Sequence, residues 1–200
     1  MSMRLIVITD TAFRPDEAEV IRILLGGGID RVHVRKPSAA EGDLRRLLEA
    51  LPAELYPQLT LHDALPLAVE YGLGGVHLNR RNPEAPHGFR GLVSRSCHTL
   101  DELAACRTED YLFLSPLFDS ISKSGYRAAF SGAQLRDAAA RGLLGRRVLA
   151  LGGVTPERLP QVREYGFGGA ALLGCIWRDT SHEGLRRTLS ALHGYANENE

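Results

Sequence analysis

The chain has 200 residues, 44% of them hydrophobic, and its 24 basic residues balance 24 acidic ones. This length and composition suit one domain with a sizeable core, and zero formal charge gives no sign of a nucleic-acid or anionic-membrane surface. No apolar stretch approaches transmembrane length, and the first residues lack the pattern of a signal peptide. Three cysteines without C-x-x-C spacing argue against a disulfide framework or a cysteine zinc site. We therefore expect a cytoplasmic protein.

Eight short apolar runs follow one another along the chain, and nearly all end in a polar residue or glycine. They occupy positions 5–10, 31–36, 58–63, 75–79, 92–98, 111–116, 148–153 and 169–174. Apolar runs that alternate with helix-like stretches indicate parallel βαβ units, and eight such units predict an α/β fold, a (β/α)8 TIM barrel with short loops. We expect a single domain over 1–200, with the barrel at about 4–195 and a polar tail at 196–200.

A repeated pattern supports closure of the barrel. EYGLGGVHL begins at Glu70 and EYGFGGAAL begins at Glu164, which places similar segments before the fourth and eighth runs. Internal duplication of a half-barrel and local convergence both explain a repeat of nine residues.

Three local patterns predict how individual runs are connected. Ser38 and Glu41 have the spacing of a capping box, and Thr99 precedes acidic residues in the same way. The segment 80–91 contains two prolines and little periodicity, so we expect a loop in place of the fourth helix.

The glycine-rich ends of the seventh and eighth runs are the clearest ligand signal. Gly152 and Gly153 precede a Thr-Pro-Glu helix start, and Gly174 ends the eighth run. Barrels often bind phosphate here, because glycine lets backbone N–H groups approach an anion. Tight turns are the alternative explanation, and we favour phosphate binding because both ends share the pattern.

Two further groups are candidates for chemistry at the strand ends. Ser96 and His98 lie two positions apart, so their side chains should face the same way, and an imidazole beside a hydroxyl suits proton transfer. A hydrogen-bonded core histidine is the alternative. Ser120, Ser122 and Lys123 can offer three donors to a carboxylate or phosphate, unless they belong to a solvated loop. No histidine or acidic spacing predicts a tight transition-metal site.

Motifs in the order of these runs resemble the thiamine phosphate synthase and thiazole tautomerase superfamily. They span Leu5 to about Trp177: I-T-D, V-H-V-R-K, L-H-D, G-V-H-L, S-C-H-T-L-D-E, D-Y-L-F-L-S-P-L-F-D-S-I-S-K, A-L-G-G-V-T-P-E and G-F-G-G-A-A-L-L-G. The resemblance implies a thiamine-biosynthesis enzyme that binds a small thiazole phosphate. In the superfamily, the synthase joins a thiazole phosphate to a pyrimidine diphosphate with magnesium and releases diphosphate.

The second strand departs from the synthase pattern Q-x-R-x-K. His33 takes the place of the glutamine, Arg35 matches the arginine, and Pro37 stands where the lysine belongs. Lys36 lies one residue early, which in a regular strand directs it to the opposite side. The resemblance still makes His33 and Lys36 candidate substrate contacts.

The positions that would hold magnesium also differ from the synthase pattern. The N-D pair of the third strand becomes His62-Asp63, and Asn82 replaces the second acidic ligand of G-Q-x-D. His62 is a candidate substrate contact, and Asp63 is the one predicted metal ligand, needed only for the synthase reaction. Because magnesium prefers carboxylate oxygens, these changes place diphosphate activation in doubt.

The thiazole side of the pattern is kept more closely. Ser120, Ser122 and Lys123 match the loop T-x-T-K, where they would contact the thiazole carboxylate. The second-strand H-x-R and fifth-strand S-x-H resemble the tautomerase branch, in which His98 would move a proton on the thiazole ring.

From these features we predict first a thiazole tautomerase-type proton transfer that needs no cofactor. His98 is assigned as the general acid/base, with Ser96 and Arg35 as positioning groups. A magnesium-dependent thiamine phosphate synthase is the alternative, and a non-catalytic protein that binds thiazole or thiamine phosphate is the third reading. We expect no nucleic-acid or membrane partner, and a homodimer only as a family expectation.

Overall fold

Eight parallel strands form a closed barrel in which each strand pairs with the next in chain order and β1 pairs with β8. The computed structural model describes residues 2–119 and 128–195. The strands are β1 (Arg4–Ile8), β2 (Arg31–Val34), β3 (Leu59–Leu61), β4 (Gly75–Leu78), β5 (Leu92–Cys97), β6 (Tyr111–Leu114), β7 (Val148–Leu151) and β8 (Gly169–Leu172). This architecture confirms the predicted (β/α)8 barrel.

Helices surround the barrel and cover its outer face. They are α1 (Glu17–Gly26), α2 (Glu41–Glu49), α3 (Pro66–Glu70), α4 (Leu100–Ala105), α5 (Gly132–Ala140), α6 (Leu159–Glu164), α7 (Gly174–Trp177) and α8 (His182–Leu192). The chain from β4 to β5 contains no helix, as its prolines predicted. No helix within the described residues is long and apolar enough to cross a membrane.

The N-termini of α4 and α2 show which of the predicted capping residues are correct. Thr99 caps α4, because its hydroxyl accepts a hydrogen bond from the Glu102 backbone N–H at 3.0 Å. The predicted cap at Ser38 is wrong. Ala40 precedes α2 without a side-chain cap, and Ser38 lies in a turn farther from the helix than a capping residue can be.

The inside of the barrel is divided into an apolar and a polar part. Apolar side chains of β1, β6, β7 and β8 form one cluster: Ile6, Ile8, Tyr111, Phe113, Leu149 and Ala171. Strands β2 to β5 instead carry buried polar side chains: His33, Thr60, His77 and Ser94. Burying polar groups costs free energy unless they are hydrogen-bonded, so the second part requires an ordered network.

Candidate functional site

Polar side chains from neighbouring strands converge where the strands end, as the barrel fold predicts. Arg35 directly follows β2, His98 follows β5 and Ser115 follows β6. The Arg35 guanidinium is half-buried and makes no hydrogen bond or ion pair with any residue placed by the structure. Its positive charge acts on the interior of the barrel, where it helps to lower the pKa of both His62 and His77. Arg35 is therefore a cation at the mouth of the barrel that has no partner among residues 2–119 and 128–195.

His98 is exposed and is held by the start of α4 and by Ser115. Its backbone N–H donates to the Glu102 carboxylate at 2.6 Å. Its ring Nδ1 lies 3.1 Å from the carbonyl oxygen of Ser115 and 3.3 Å from that residue's hydroxyl. Because a carbonyl only accepts, Nδ1 carries the proton in a neutral ring. Nε2 is then left as the basic nitrogen, which suits a general base.

Ser96 does not pair with His98, contrary to the prediction. Its hydroxyl lies 3.0 Å from Nε2 of His77, on the adjacent strand β4. Residues two apart on one strand are about 6.6 Å apart, whereas side chains on paired strands approach more closely. The hydroxyl beside His98 belongs instead to Ser115, one of the polar residues at the ends of the apolar runs.

Lys36 is turned away from the mouth and buried, with 1% of its surface exposed. Its Nζ atom contacts both Glu17 carboxylate oxygens, at 2.6 and 2.9 Å, and donates to two backbone carbonyls near the end of β1. Burial raises the pKa of Glu17, an effect that the Lys36 ammonium opposes. All the donors of this ammonium are used inside the protein, so the predicted substrate contact at Lys36 does not fit this geometry.

The predicted substrate contacts His33 and His62 lie in the polar part of the interior, beside His77. His33 is fully buried, with Nδ1 2.8 Å from Nε2 of His62 and Nε2 2.6 Å from the hydroxyl of Tyr111. The rings of His62 and His77 are stacked, with centroids 4.0 Å apart. Nδ1 of His77 lies 2.8 Å from the Ser94 hydroxyl. His77 thus faces the interior of the barrel. It lies in one cluster with His33 and His62, which the sequence predicted only as substrate contacts.

Burial keeps these three imidazoles neutral. Desolvation, with the neighbouring His77, lowers the pKa of His33 well below its ordinary value. The same causes act on His62, and burial with the charges of Arg95 and Arg35 lowers the pKa of His77 to about 3. A neutral imidazole offers one unprotonated nitrogen, which makes each ring a hydrogen-bond acceptor and a metal ligand.

Asp63 is paired with Arg81, which lies in the loop after β4. Its Oδ1 lies 2.6 Å from the Arg81 guanidinium, and its Oδ2 accepts the Lys36 backbone N–H at 3.2 Å. Asn79 and Asn82 both donate their side-chain N–H groups to the His62 carbonyl oxygen, at 2.8 and 3.1 Å. The loop after β4 thus fixes the end of β3 and adds a cation to the mouth.

The glycine ends of β7 and β8 have the backbone required of an anion site. Gly152 and Gly153 have φ angles of +97° and +64°, and a Cβ at Gly153 would lie 2.4 Å from the Asp119 carbonyl oxygen. The N–H groups of Gly152, Gly153 and Gly174 make no hydrogen bond within the described ranges. The two loops also touch, since the Cys175 thiol lies 3.7 Å from the Val154 carbonyl oxygen. Free N–H groups from adjacent loops suit a phosphate.

The remaining predicted contacts Ser120, Ser122 and Lys123 lie outside the described residues, which stop at 119 and resume at 128.

Comparison with known proteins assigns the family. The model of the family described as thiamine monophosphate synthase matches residues 5–176. The chain belongs to the thiamine monophosphate synthase family. This membership confirms the resemblance inferred from the ordered motifs and makes the protein an enzyme of thiamine biosynthesis.

Family members of known name resemble the chain along most of its length. A thiamine-phosphate synthase of Nitrosococcus oceani is 30% identical over 190 residues, covering 87% of this chain and 85% of that protein. A thiamine phosphate pyrophosphorylase structure from Bacteroides thetaiotaomicron is 32% identical, with a TM-score of 0.86, and covers 99% of this chain and 100% of that one. These names favour the synthase alternative over the tautomerase reaction that the sequence placed first.

The residues at the predicted magnesium positions do not fit that ion. Magnesium takes hard oxygen ligands, usually carboxylates. Asp63 is bound by Arg81, while Asn82 uses its amide to hold a backbone carbonyl. Within residues 2–119 and 128–195, the one group of three potential metal ligands is made of histidines. We therefore derive no catalytic step through magnesium.

Proposed function

We propose that the protein is a thiamine-phosphate synthase, which transfers a pyrimidine group from a pyrimidine diphosphate to a thiazole phosphate. The observation that carries the proposal is the similarity, over 87% of the chain or more, to proteins named for this enzyme. The cation and the backbone N–H groups that have no partner among the described residues, and the exposed imidazole at the barrel mouth, are consistent with it.

In this proposal, Arg35 and Arg81 bind the diphosphate. Negative charge grows on the diphosphate as its bond to the pyrimidine group breaks, and preplaced guanidinium groups stabilise such charge. Arg35 has no competing partner among the described residues, and Arg81 extends from the loop that also carries Asn79 and Asn82. Arginine is suited to this role because its planar donors match phosphate oxygens.

The phosphate of the thiazole substrate binds at the ends of β7 and β8 in this proposal. The N–H groups of Gly152, Gly153 and Gly174 are available there, and Arg158 holds the loop through a 2.8 Å bond to the Gly153 carbonyl oxygen. The predicted carboxylate contacts Ser120, Ser122 and Lys123 remain part of the proposal.

The test is an assay of the purified protein with both substrates, with and without Mg²⁺, in which thiamine phosphate and diphosphate are measured. We expect equal amounts of both products and their loss in Arg35→Gln. The circular dichroism spectrum should stay unchanged in this variant, because the Arg35 guanidinium makes no hydrogen bond or ion pair within the described residues. Binding of thiazole phosphate without either product would contradict the synthase and leave the tautomerase and the non-catalytic reading.

A thiazole tautomerase remains the second candidate, and the geometry of His98 favours it. The carbonyl of Ser115 fixes the ring proton on Nδ1, which leaves Nε2 basic and suited to proton transfer. In this reaction a proton leaves one ring atom and another is returned, so no cofactor is consumed. Conversion of an isolated thiazole tautomer that is lost in His98→Asn, with no thiamine phosphate formed by the wild type, would favour this candidate.

The small-molecule substrates follow from the proposed reaction. A cytoplasmic location and a homodimer remain predictions, and size-exclusion chromatography with light scattering tests the second.

A further inference from the structure

We propose that His33, His62 and His77 form a binding site for a divalent transition-metal ion of the zinc type inside the barrel. The site is separate from the proposed substrate contacts at the mouth, and the inference goes beyond the proposed function.

The three ligands come from adjacent parts of the barrel wall. His33 belongs to β2, His62 directly follows β3 and His77 belongs to β4. One ring nitrogen from each residue lies within 4.8 Å of the other two, and all three side chains are buried. Four-coordinate zinc with Zn–N bonds of about 2.0–2.1 Å requires nitrogens about 3.4 Å apart. The imidazole nitrogens must therefore move by side-chain rotation when the ion binds, while the backbone keeps its arrangement.

Two of the rings have hydroxyl partners of the kind that orient metal-binding histidines. Nε2 of His33 lies 2.6 Å from the Tyr111 hydroxyl, which leaves Nδ1 on the side of His62. Nδ1 of His77 lies 2.8 Å from the Ser94 hydroxyl, so Nε2 is the ligand atom, and the ion would replace the contact of Nε2 with the Ser96 hydroxyl at 3.0 Å. Outer partners on the second nitrogen fix the ring and its tautomer in metal sites.

Binding requires one proton to move but none to be released. The 2.8 Å contact between His33 and His62 contains one shared N–H, since both rings are neutral. When the metal replaces this contact, the N–H shifts to the outer nitrogen of the same ring. For His33 that nitrogen then donates to the Tyr111 oxygen, so the ring keeps a hydrogen bond.

The donor set selects the class of ion. Three imidazoles without a carboxylate suit Zn²⁺, Co²⁺, Ni²⁺ or Cu²⁺ and do not suit Mg²⁺ or Ca²⁺. A fourth ligand, such as a water molecule, would complete a tetrahedral site. The charges of Arg35 and Arg95 oppose a cation here, so we expect an affinity weaker than that of a structural zinc site.

The test uses the full-length protein without an affinity tag, stripped with a chelator and titrated with Co²⁺. We expect one ion per chain, visible ligand-field bands of a four-coordinate ion, displacement by Zn²⁺ and no displacement by Mg²⁺. His33→Gln should reduce the affinity at least as much as the about 10–100-fold loss seen when an outer partner is removed. His87→Gln, which changes an exposed histidine in the loop before β5, is the matched control and should leave the affinity unchanged.

Two results would overturn the metal site. One is the absence of four-coordinate Co²⁺ bands in the wild-type protein, which would mean that the histidines serve only as a hydrogen-bonded network. The other is Co²⁺ binding that is unchanged in both His33→Gln and His62→Asn. Circular dichroism checks the fold of each variant, and the wild-type titration is decisive even if both variants unfold.

Discussion

Nδ1 of His33 lies 2.8 Å from Nε2 of His62 inside the barrel, where both side chains are buried. A proton added to either ring would be buried near a second imidazole, and it would be opposed by the charge of Arg31 at His33 and of Arg35 at His62. The pair is therefore stable only while both rings are neutral. This links the polar part of the barrel to the pH range in which the protein stays folded.

We predict that the free energy of unfolding falls as the pH decreases below about 6.5. His33, His62 and His77 have folded pKa values below their ordinary value of 6.5, so the unfolded chain binds more protons there. Their contribution is fully present above pH 6.5 and is lost towards about 3, the folded pKa of His77. Each group contributes a slope of up to ~1.4 kcal/mol per pH unit.

Urea unfolding of the metal-free protein at several pH values measures this slope, and His77→Gln tests its origin. Glutamine does not titrate, so the variant should have a shallower slope between pH 6 and pH 4, whatever its absolute stability. His87→Gln is the control and should keep the wild-type slope. Parallel curves for wild type and His77→Gln would contradict the assignment.

Lys36→Met should destabilise the protein strongly without removing a substrate contact. The substitution leaves the Glu17 carboxylate buried without its 2.6 Å partner, and breaking a buried pair costs about 3–5 kcal/mol. Urea unfolding should show this loss, and adding Glu17→Gln should recover part of it because the unpaired charge is removed. A stable Lys36→Met protein with weakened phosphate binding would instead make Lys36 a ligand contact.

The order of the strands could be predicted because each apolar run is bounded by turn residues, and parallel strands buried on both faces read as continuous runs. The same burial hides which side chains point inward. The sequences R-V-H-V, T-L-H-D and G-V-H-L each place a histidine among apolar residues, but their alternation does not separate the barrel interior from the helix layer. The meeting of His33, His62 and His77 depends on strand register, such as that between His33 and Thr60.

Contacts between strands also explain the incorrect pairing of Ser96 with His98. Ser96 and His98 share a face at the end of β5, but the Ser96 hydroxyl binds the nearer imidazole of His77 on the adjacent strand β4. For Lys36, strand periodicity gave the correct orientation. Because Lys36 directly follows Arg35, its side chain was expected on the opposite side of the strand from that of Arg35. Its partner Glu17, on α1, could not be read from strand periodicity.

Gly153→Ala should weaken phosphate binding more than Gly142→Ala does, although both substitutions put alanine at a positive φ. Gly153 has a positive φ of +64°, and an added Cβ would lie 2.4 Å from the Asp119 carbonyl oxygen, so the loop must move. Gly142→Ala is the matched control, since Gly142 has a φ of +72° and open space around the added atom. Loss of one charge-assisted hydrogen bond of ~1.5–3 kcal/mol corresponds to about a 10-fold or greater loss of affinity. Calorimetric titration with the thiazole phosphate measures it, and equal affinities in the two variants would exclude a phosphate site at this loop.

Arg81→Gln should weaken the binding of inorganic diphosphate and make it depend more strongly on Mg²⁺. The wild-type guanidinium supplies a positive charge and occupies the Asp63 carboxylate at 2.6 Å. Without it, diphosphate loses a charge-assisted contact of ~1.5–3 kcal/mol, or about 10-fold or more in affinity, while Asp63 becomes free to accept a hard cation. Arg80→Gln removes an adjacent exposed charge and should change neither property. Calorimetric titration with diphosphate, with and without Mg²⁺, compares the two variants, and the same Mg²⁺ dependence in both would mean that Arg81 does not take the place of a cation at Asp63.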